Sequence, residues 1–299
     1  MGECIMSATI TQLPQQKTMG QGQATLMLVI CAAMWSFAGT WIKLVDFHPI
    51  VINSARGIFA VLSILVYFAI KKIKISVQKE AIIGGVILAS VMTVTVCALS
   101  LTTAANAIIL QYMSPVYVLL ISVIFFKQKA RGKDILVVIF SILGVALFFI
   151  DKVEAGSLLG NILGICGGIL FAISFIYNNR AKVNPLHIVF WGCLFSTIIG
   201  IPFFFIYPPH FTALGTVAVI MMGSVHLGIP YILYGLAIQH CSALNASIAT
   251  MIEPILTPIW VFLIVGEMPG KYALYGAILV MLVISLYSIS NARAAQKES

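Results

Sequence analysis

Ten apolar runs, each bounded by charge, Gly, Pro or Asn, take up most of this 299-residue chain and constrain it more than any other feature. They fall at about 24–45, 49–70, 81–101, 104–126, 134–150, 157–178, 186–207, 212–238, 242–265 and 271–290. A helix crosses a bilayer with roughly 20 apolar residues, so each run is long enough, the fifth only just. Barrel strands alternate polar and apolar residues, whereas these runs are apolar all round, which leaves helix as the spanning structure. Charged residues make up 9% of the chain, against about 25% in soluble globular proteins. An all-α integral membrane protein follows, with no length left for a soluble catalytic domain.

The basic residues sort by side. With the N-terminus inside, 13 Lys and Arg fall on inside segments and only Lys152 and Lys271 on outside loops. Such a bias places both termini in the cytoplasm. The net charge of +8 is thereby a topology signal, and nucleic-acid binding loses its support. Residues 1–23 read as a polar cytoplasmic tail without the apolar core of a cleaved signal peptide, and 291–299 as a second tail. Six scattered cysteines with no CxxC pair read as small buried hydrophobes, neither a disulfide framework nor a metal site.

Self-comparison finds a repeat. NAIILQYMSPVY from Asn106 aligns with NASIATMIEPIL from Asn245 at an offset of 139, matching Asn, Ala, Ile109 with Ile248 and Pro115 with Pro254. Five helices (24–150) are therefore followed by five similar ones (157–290). An odd number of spans per repeat sets the halves in opposite orientations, the inverted-repeat plan of secondary transporters.

MWSFAGTWIKL closes the first run; Pro49 and NSARGIFAVL follow, and IEPILTPIWVFLIVGE fills the ninth. Together these resemble the EamA family of the drug/metabolite transporter superfamily at Trp35, Lys43, Pro49, Arg56, Ala60, Pro254, Gly266 and Glu267. The first half departs from the second by Lys127-Gln128 where the second has Gly266-Glu267. The resemblance implies ten transmembrane helices as two inverted five-helix repeats around a central cavity open alternately to each side. It also implies export of metabolites, amino acids or drugs from a bacterial cell across the inner (plasma) membrane.

An ionisable residue inside a membrane costs at least about 2.5–3.5 kcal/mol on insertion scales, so each asks for a reason. Glu253 stands near the middle of the ninth span, on a small and polar stripe with Ala246, Thr250 and Thr257. Pro254 removes the usual partner of the Thr250 carbonyl, Pro258 that of the Pro254 carbonyl, and Pro115, beside Ser114, that of the Gln111 carbonyl. Proline-interrupted helices at matching positions of two halves point to a transporter's binding site. Glu253 reads as a proton-coupling group or a counter-charge for a substrate amine; a permanent ion pair with Arg56 or Lys43 is the structural alternative. Arg56 contacts substrate or holds carbonyls, and Lys43 anchors the interface or binds. His226 relays protons or packs. Trp35, Tyr112 and Tyr234 line a pocket or pack helices, and Asn106 and Asn245 read as N-caps.

No GxSxG, HExxH or Walker loop is present, so an enzyme is not expected, nor a cofactor or metal. The expected function is secondary active transport. An importer or facilitator of the same fold, a lipid-acting membrane enzyme and a non-transporting subunit are the alternatives. The expected partners are a small-molecule substrate, the lipid bilayer and H⁺ as coupling ion, with a homodimer admissible.

Overall fold

A computed structural model describes residues 19–43, 45–127, 132–147, 155–210, 212–240, 246, 249–250, 252–266, 268 and 270–297. Among them, seven helices are long and apolar enough to cross a membrane: Gly22–Ile42, Pro49–Lys71, Lys79–Leu101, Asn106–Phe125, Leu158–Asn178, Pro185–Ile206 and Ala213–His240. Three shorter apolar helices, Ile135–Gly144, Ile255–Val265 and Leu274–Tyr287, lie where the fifth, ninth and tenth runs stand in the sequence. No strand occurs among the described residues. The protein is a multi-pass membrane protein.

The elements run α1 Gln21–Trp35, α2 Ala38–Lys43, α3 Pro49–Lys71, α4 Lys79–Leu101, α5 Ala104–Gln111, α6 Ser114–Phe126, α7 Gly132–Leu147, α8 Ala155–Arg180, α9 Pro185–Ile206 and α10 Ala213–Met221. A π-helical turn, Met222–Gly228, leads into α11 Ile229–Ala237; α12 is Ile252–Val265 and α13 Lys271–Lys297. Several starts are dictated locally. Pro49 and Pro185 open α3 and α9, where a missing amide proton is harmless and φ is already set. Asn184 and Thr212 accept from backbone amides at the starts of α9 and α10.

Polarity is arranged inside out. Large apolar side chains such as Phe205, Phe125 and Leu263 face outward, while Arg56, Gln111, His226 and Glu253 are buried. Lipid makes apolar outer faces costless, so packing between helices rests on close approach of small residues and on internal hydrogen bonds. Helix α4 packs on both α8 and α9, α3 on α9, and α1 on α11. Gly168 shows the closeness. A Cβ there would lie 2.9 Å from the carbonyl oxygens of both Leu110 and Gln111.

Two expectations change. Thr103, not Asn106, caps α5, its hydroxyl accepting from the Asn106 amide; the Asn106 side chain instead donates to Asn161 Oδ1 at 3.3 Å. The cysteines are not uniformly buried: Cys31 and Cys193 are, Cys97 is partly so, and Cys166 is exposed on the outer face. Cys4, Cys241, Asn245 and Glu267 lie outside the described residues.

Candidate functional site

Four interruptions of the spanning helices meet at one place inside the bundle. The first span breaks at Ser36–Phe37, the fourth at Tyr112–Met113 and the ninth at Thr250, just before α12 begins at Ile252, while the eighth widens into the π turn. Each exposes backbone groups or turns a polar side chain inward, which membrane helices tolerate only where protein re-satisfies them.

In the fourth span, Pro115 cannot donate to Gln111, and the chain turns so that the amides of Val116 and Tyr117 both reach the Met113 carbonyl. The ninth span differs from expectation. The Thr250 carbonyl is not left free by Pro254; it accepts from the Glu253 amide at 3.1 Å, a tighter i→i+3 contact. Ala246, Thr250, Glu253 and Thr257 are all buried, and the Thr257 hydroxyl donates to the Glu253 carbonyl at 2.9 Å. The Tyr112 hydroxyl donates to the Glu253 carboxylate. That single bond joins the two proline-associated breaks.

The π turn has its own cause. Pro230 lacks an amide, and its ring would crowd the His226 carbonyl in a regular helix; the wider turn relieves this, and the Ile229 amide reaches back to Ser224. His226 Nε2 lies 3.0 Å from the Trp35 carbonyl. A carbonyl only accepts, so Nε2 carries the proton there. His226 thereby braces the first-span break from one side. Trp260 does so from another, donating its indole N–H to Ser36 Oγ at 3.1 Å and stacking on Phe37.

Arg56 sits on α3, 3% exposed. Its guanidinium donates to Asn53 Oδ1 at 3.2 Å and to the Met92 carbonyl at 3.4 Å. The Asn53 amide donates in turn to Thr93 Oγ1 at 3.0 Å. The alternative reading, an ion pair between Arg56 and Glu253, is not among these contacts: the partners of each are neutral groups. The Thr95 hydroxyl, donating to the Val91 carbonyl at 2.7 Å, lies 2.9 Å from the Gln111 side-chain amide.

Trp35, Arg56, Gln111, Tyr112, His226 and Glu253 line one cavity together with residues such as Thr95, Phe171 and Tyr231. It encloses about 40 Å³, enough for a few water molecules and nothing larger. An apolar hollow of about 410 Å³ lies between the first and eighth spans, and His226 borders both spaces. Of the other sequence candidates, Tyr234 lies behind the wall, its ring 5.9 Å from that of Trp35. Ser114 and Thr250 are buried without lining the cavity. Pro115 and Pro254 stand in the first turns of α6 and α12, and the latter helix runs on through Pro258. Lys43 ends α2, and its side chain lies outside the described residues.

Asn53, Thr95 and the π turn were missed in the sequence. Asn53 stands three residues before Arg56 and thus on its face, Thr95 is one of four hydroxyl residues in its run with Ser90, Thr93 and Ser100, and Pro230 four residues after His226 signals the altered turn.

A model of the EamA-like transporter family matches this chain twice, over residues 23–150 and 158–289. A protein of Archaeoglobus fulgidus named an uncharacterized transporter is 23% identical over 89% of this chain and 95% of its own length. The uncharacterized transporter YoaV of Bacillus subtilis is 17% identical over 90% of this chain and 97% of its own. One solved crystal structure superposes with a TM-score of 0.68 at 14% identity, covering 90% of this chain and 99% of that one. That likeness concerns the fold.

Proposed function

The chain belongs to the EamA-like transporter family, and from that premise we propose that this membrane transporter is a secondary active exporter of a small metabolite, amino acid or drug, driven by protons. The proposed architecture is ten spans in two inverted halves, with both termini cytoplasmic in the plasma membrane. The halves rock about the central cavity.

One observation carries the reading: the bond from the Tyr112 hydroxyl to the Glu253 carboxylate, joining the breaks of the fourth and ninth spans over a cavity too small for solute. Solute entry requires these walls to part. An ionised carboxylate accepts such a bond with charge assistance, and a proton on Glu253 takes that assistance away. Proton arrival thus weakens the strap, and proton loss restores it. Arg56, His226, Tyr231 and Tyr112 border the same space, so polar groups stand beside the site where Glu253 exchanges its proton.

The test uses inverted membrane vesicles energised by a pH gradient. Glu253→Gln keeps the size and hydrogen-bonding capacity of the side chain but cannot bind a proton, and proton-driven uptake falls to that of vesicles lacking the protein. Unchanged pH dependence in Glu253→Gln would overturn the coupling role. Solute that equilibrates in the wild type regardless of the gradient would instead identify a facilitator.

A further inference from the structure

Arg56 has no role in the strap, yet it is the most conspicuous group left over in the bundle. A buried guanidinium away from water demands a counter-charge or pays heavily in desolvation. Here it has only two neutral acceptors, Asn53 Oδ1 and the Met92 carbonyl, and its Nε has no partner among the described residues. The indole Nε1 of Trp35, also buried, has none either. Both residues line the cavity. Two N–H groups that can only donate thus border one cavity, and one of them belongs to a guanidinium whose hydrogen-bond partners here are both neutral.

We infer that the cavity, once the fourth- and ninth-span walls part, binds a monocarboxylate, its carboxylate docked on the Arg56 guanidinium with the Trp35 indole N–H as a further donor and its apolar body against Val91, Phe171 and Tyr231. The inference rests on the transporter reading and names the substrate class for it. Guanidinium presents paired donors in a plane that matches a carboxylate. The Asn53–Thr93 contact fixes that plane by holding Asn53 Oδ1 toward Arg56. With Glu253 protonated, the one positive charge left on the cavity balances one negative charge, which favours a monoanion over a phosphate dianion. Glu253 lies on the same cavity but bonds to Tyr112 and not to the Arg56 guanidinium, so the Arg56 donors stay available to a ligand. The remaining wall is apolar or aromatic, suited to a short hydrocarbon or ring.

The experiment uses the purified full chain. Thermal shift in detergent is measured with phenylacetate and isovalerate, with the neutral phenylacetamide, the cationic phenethylamine and the dianionic benzylphosphonate. Counterflow of the same compounds is then measured in proteoliposomes. Phenylacetate or isovalerate is expected to stabilise and to exchange, and the amide, amine and phosphonate are not. Arg56→Gln lowers carboxylate binding by about 10- to 100-fold, the value of a hydrogen bond to a charged group. Arg56→Lys keeps the charge but not the fork and loses less. Trp35→Phe keeps the ring, drops the N–H and raises KM by about 3- to 10-fold with kcat held.

Exchange of the amide or amine alone would overturn the inference while leaving a transporter. Carboxylate binding without flux of any compound would leave the anion site and overturn the transport reading. Benzylphosphonate binding above both carboxylates would reassign the site to phosphate-like anions. A wild-type protein stabilised by none of the anions overturns the inference without recourse to any variant.

Discussion

In the fourth span the chain turns at Tyr112–Met113 and restarts at Ser114; in the ninth it turns at Thr250 and restarts at Ile252. Under the offset of 139, Gln111 coincides with Thr250 and Ser114 with Glu253. The likeness continues to the far ends. The amide of Lys127 reaches Ser122, and the amide of Gly266 reaches Val261, which are corresponding pairs. The backbone device is therefore repeated while its chemistry is not. Only the ninth-span break carries a carboxylate, and only the fourth supplies, through Tyr112, the hydroxyl that engages it. The two breaks are thus alike in backbone, and in the proposed mechanism the single carboxylate of the ninth span acts on both.

The largest effect expected from that asymmetry comes from moving the carboxylate. A Glu253→Ser, Ser114→Glu double variant exchanges the two side chains between corresponding positions, and proton-driven vesicle uptake drops to background because Ser114 does not line the cavity. Retained coupling would show that the halves are chemically interchangeable. Next comes Tyr112→Phe, which leaves the carboxylate and removes its strap. Losing a hydrogen bond to a charged group is worth about 1.5–3 kcal/mol, so the walls part more readily. Labelling of an Ala38→Cys reporter, which lines the cavity, by a water-soluble thiol reagent in a background free of other cysteines accelerates by about tenfold or more. An unchanged labelling rate would show that the bond does not hold the cavity closed. Gly168→Ala is the third. Its Cβ meets two carbonyls of the fourth-span break at 2.9 Å, an overpacking worth about 1–3 kcal/mol. Thermal unfolding in detergent at lower temperature checks it.

The sequence reveals what depends on one residue type in one setting and conceals what depends on distant pairs. Apolar run length locates the spans, because lipid forbids any other arrangement of so many apolar residues. Arg56, His226 and Glu253 stand out because each is ionisable within such a run, and all three border one cavity. Pro115 and Pro254 mark their helix breaks because a missing amide acts locally. By contrast, the Ser36–Phe37 break has no proline; it is held by His226 and Trp260, each roughly two hundred positions away in the chain. The Tyr112–Glu253 contact is likewise invisible to periodicity. Thr103 supplanted Asn106 as a cap because both are capping types three residues apart, and only the geometry of the α5 start chooses between them.

The smallest expected effect distinguishes the far ends of the same two spans. Lys127 adopts φ 51° and Gly266 φ 78°, so both chains leave their helices through the left-handed region. For a residue with a Cβ that region costs roughly 1–2 kcal/mol, whereas glycine enters it freely but loses more conformational entropy on folding, roughly 0.5–1 kcal/mol relative to Ala. Strain outweighs entropy in each case. Lys127→Gly is therefore expected to stabilise the protein by about 0.5 kcal/mol, and Gly266→Ala, with open space around its Cβ but the same backbone strain, to destabilise it by a similar amount. Opposite shifts in thermal midpoint in detergent are the signature. Lys127→Gly also removes one positive charge from a segment whose basic residues favour the cytoplasmic side, so a reporter fused at the C-terminus is read alongside. Unaltered orientation with a raised midpoint confines the effect to the backbone. A lowered midpoint would mean that Lys127 contributes more through its charge or side chain than its φ costs.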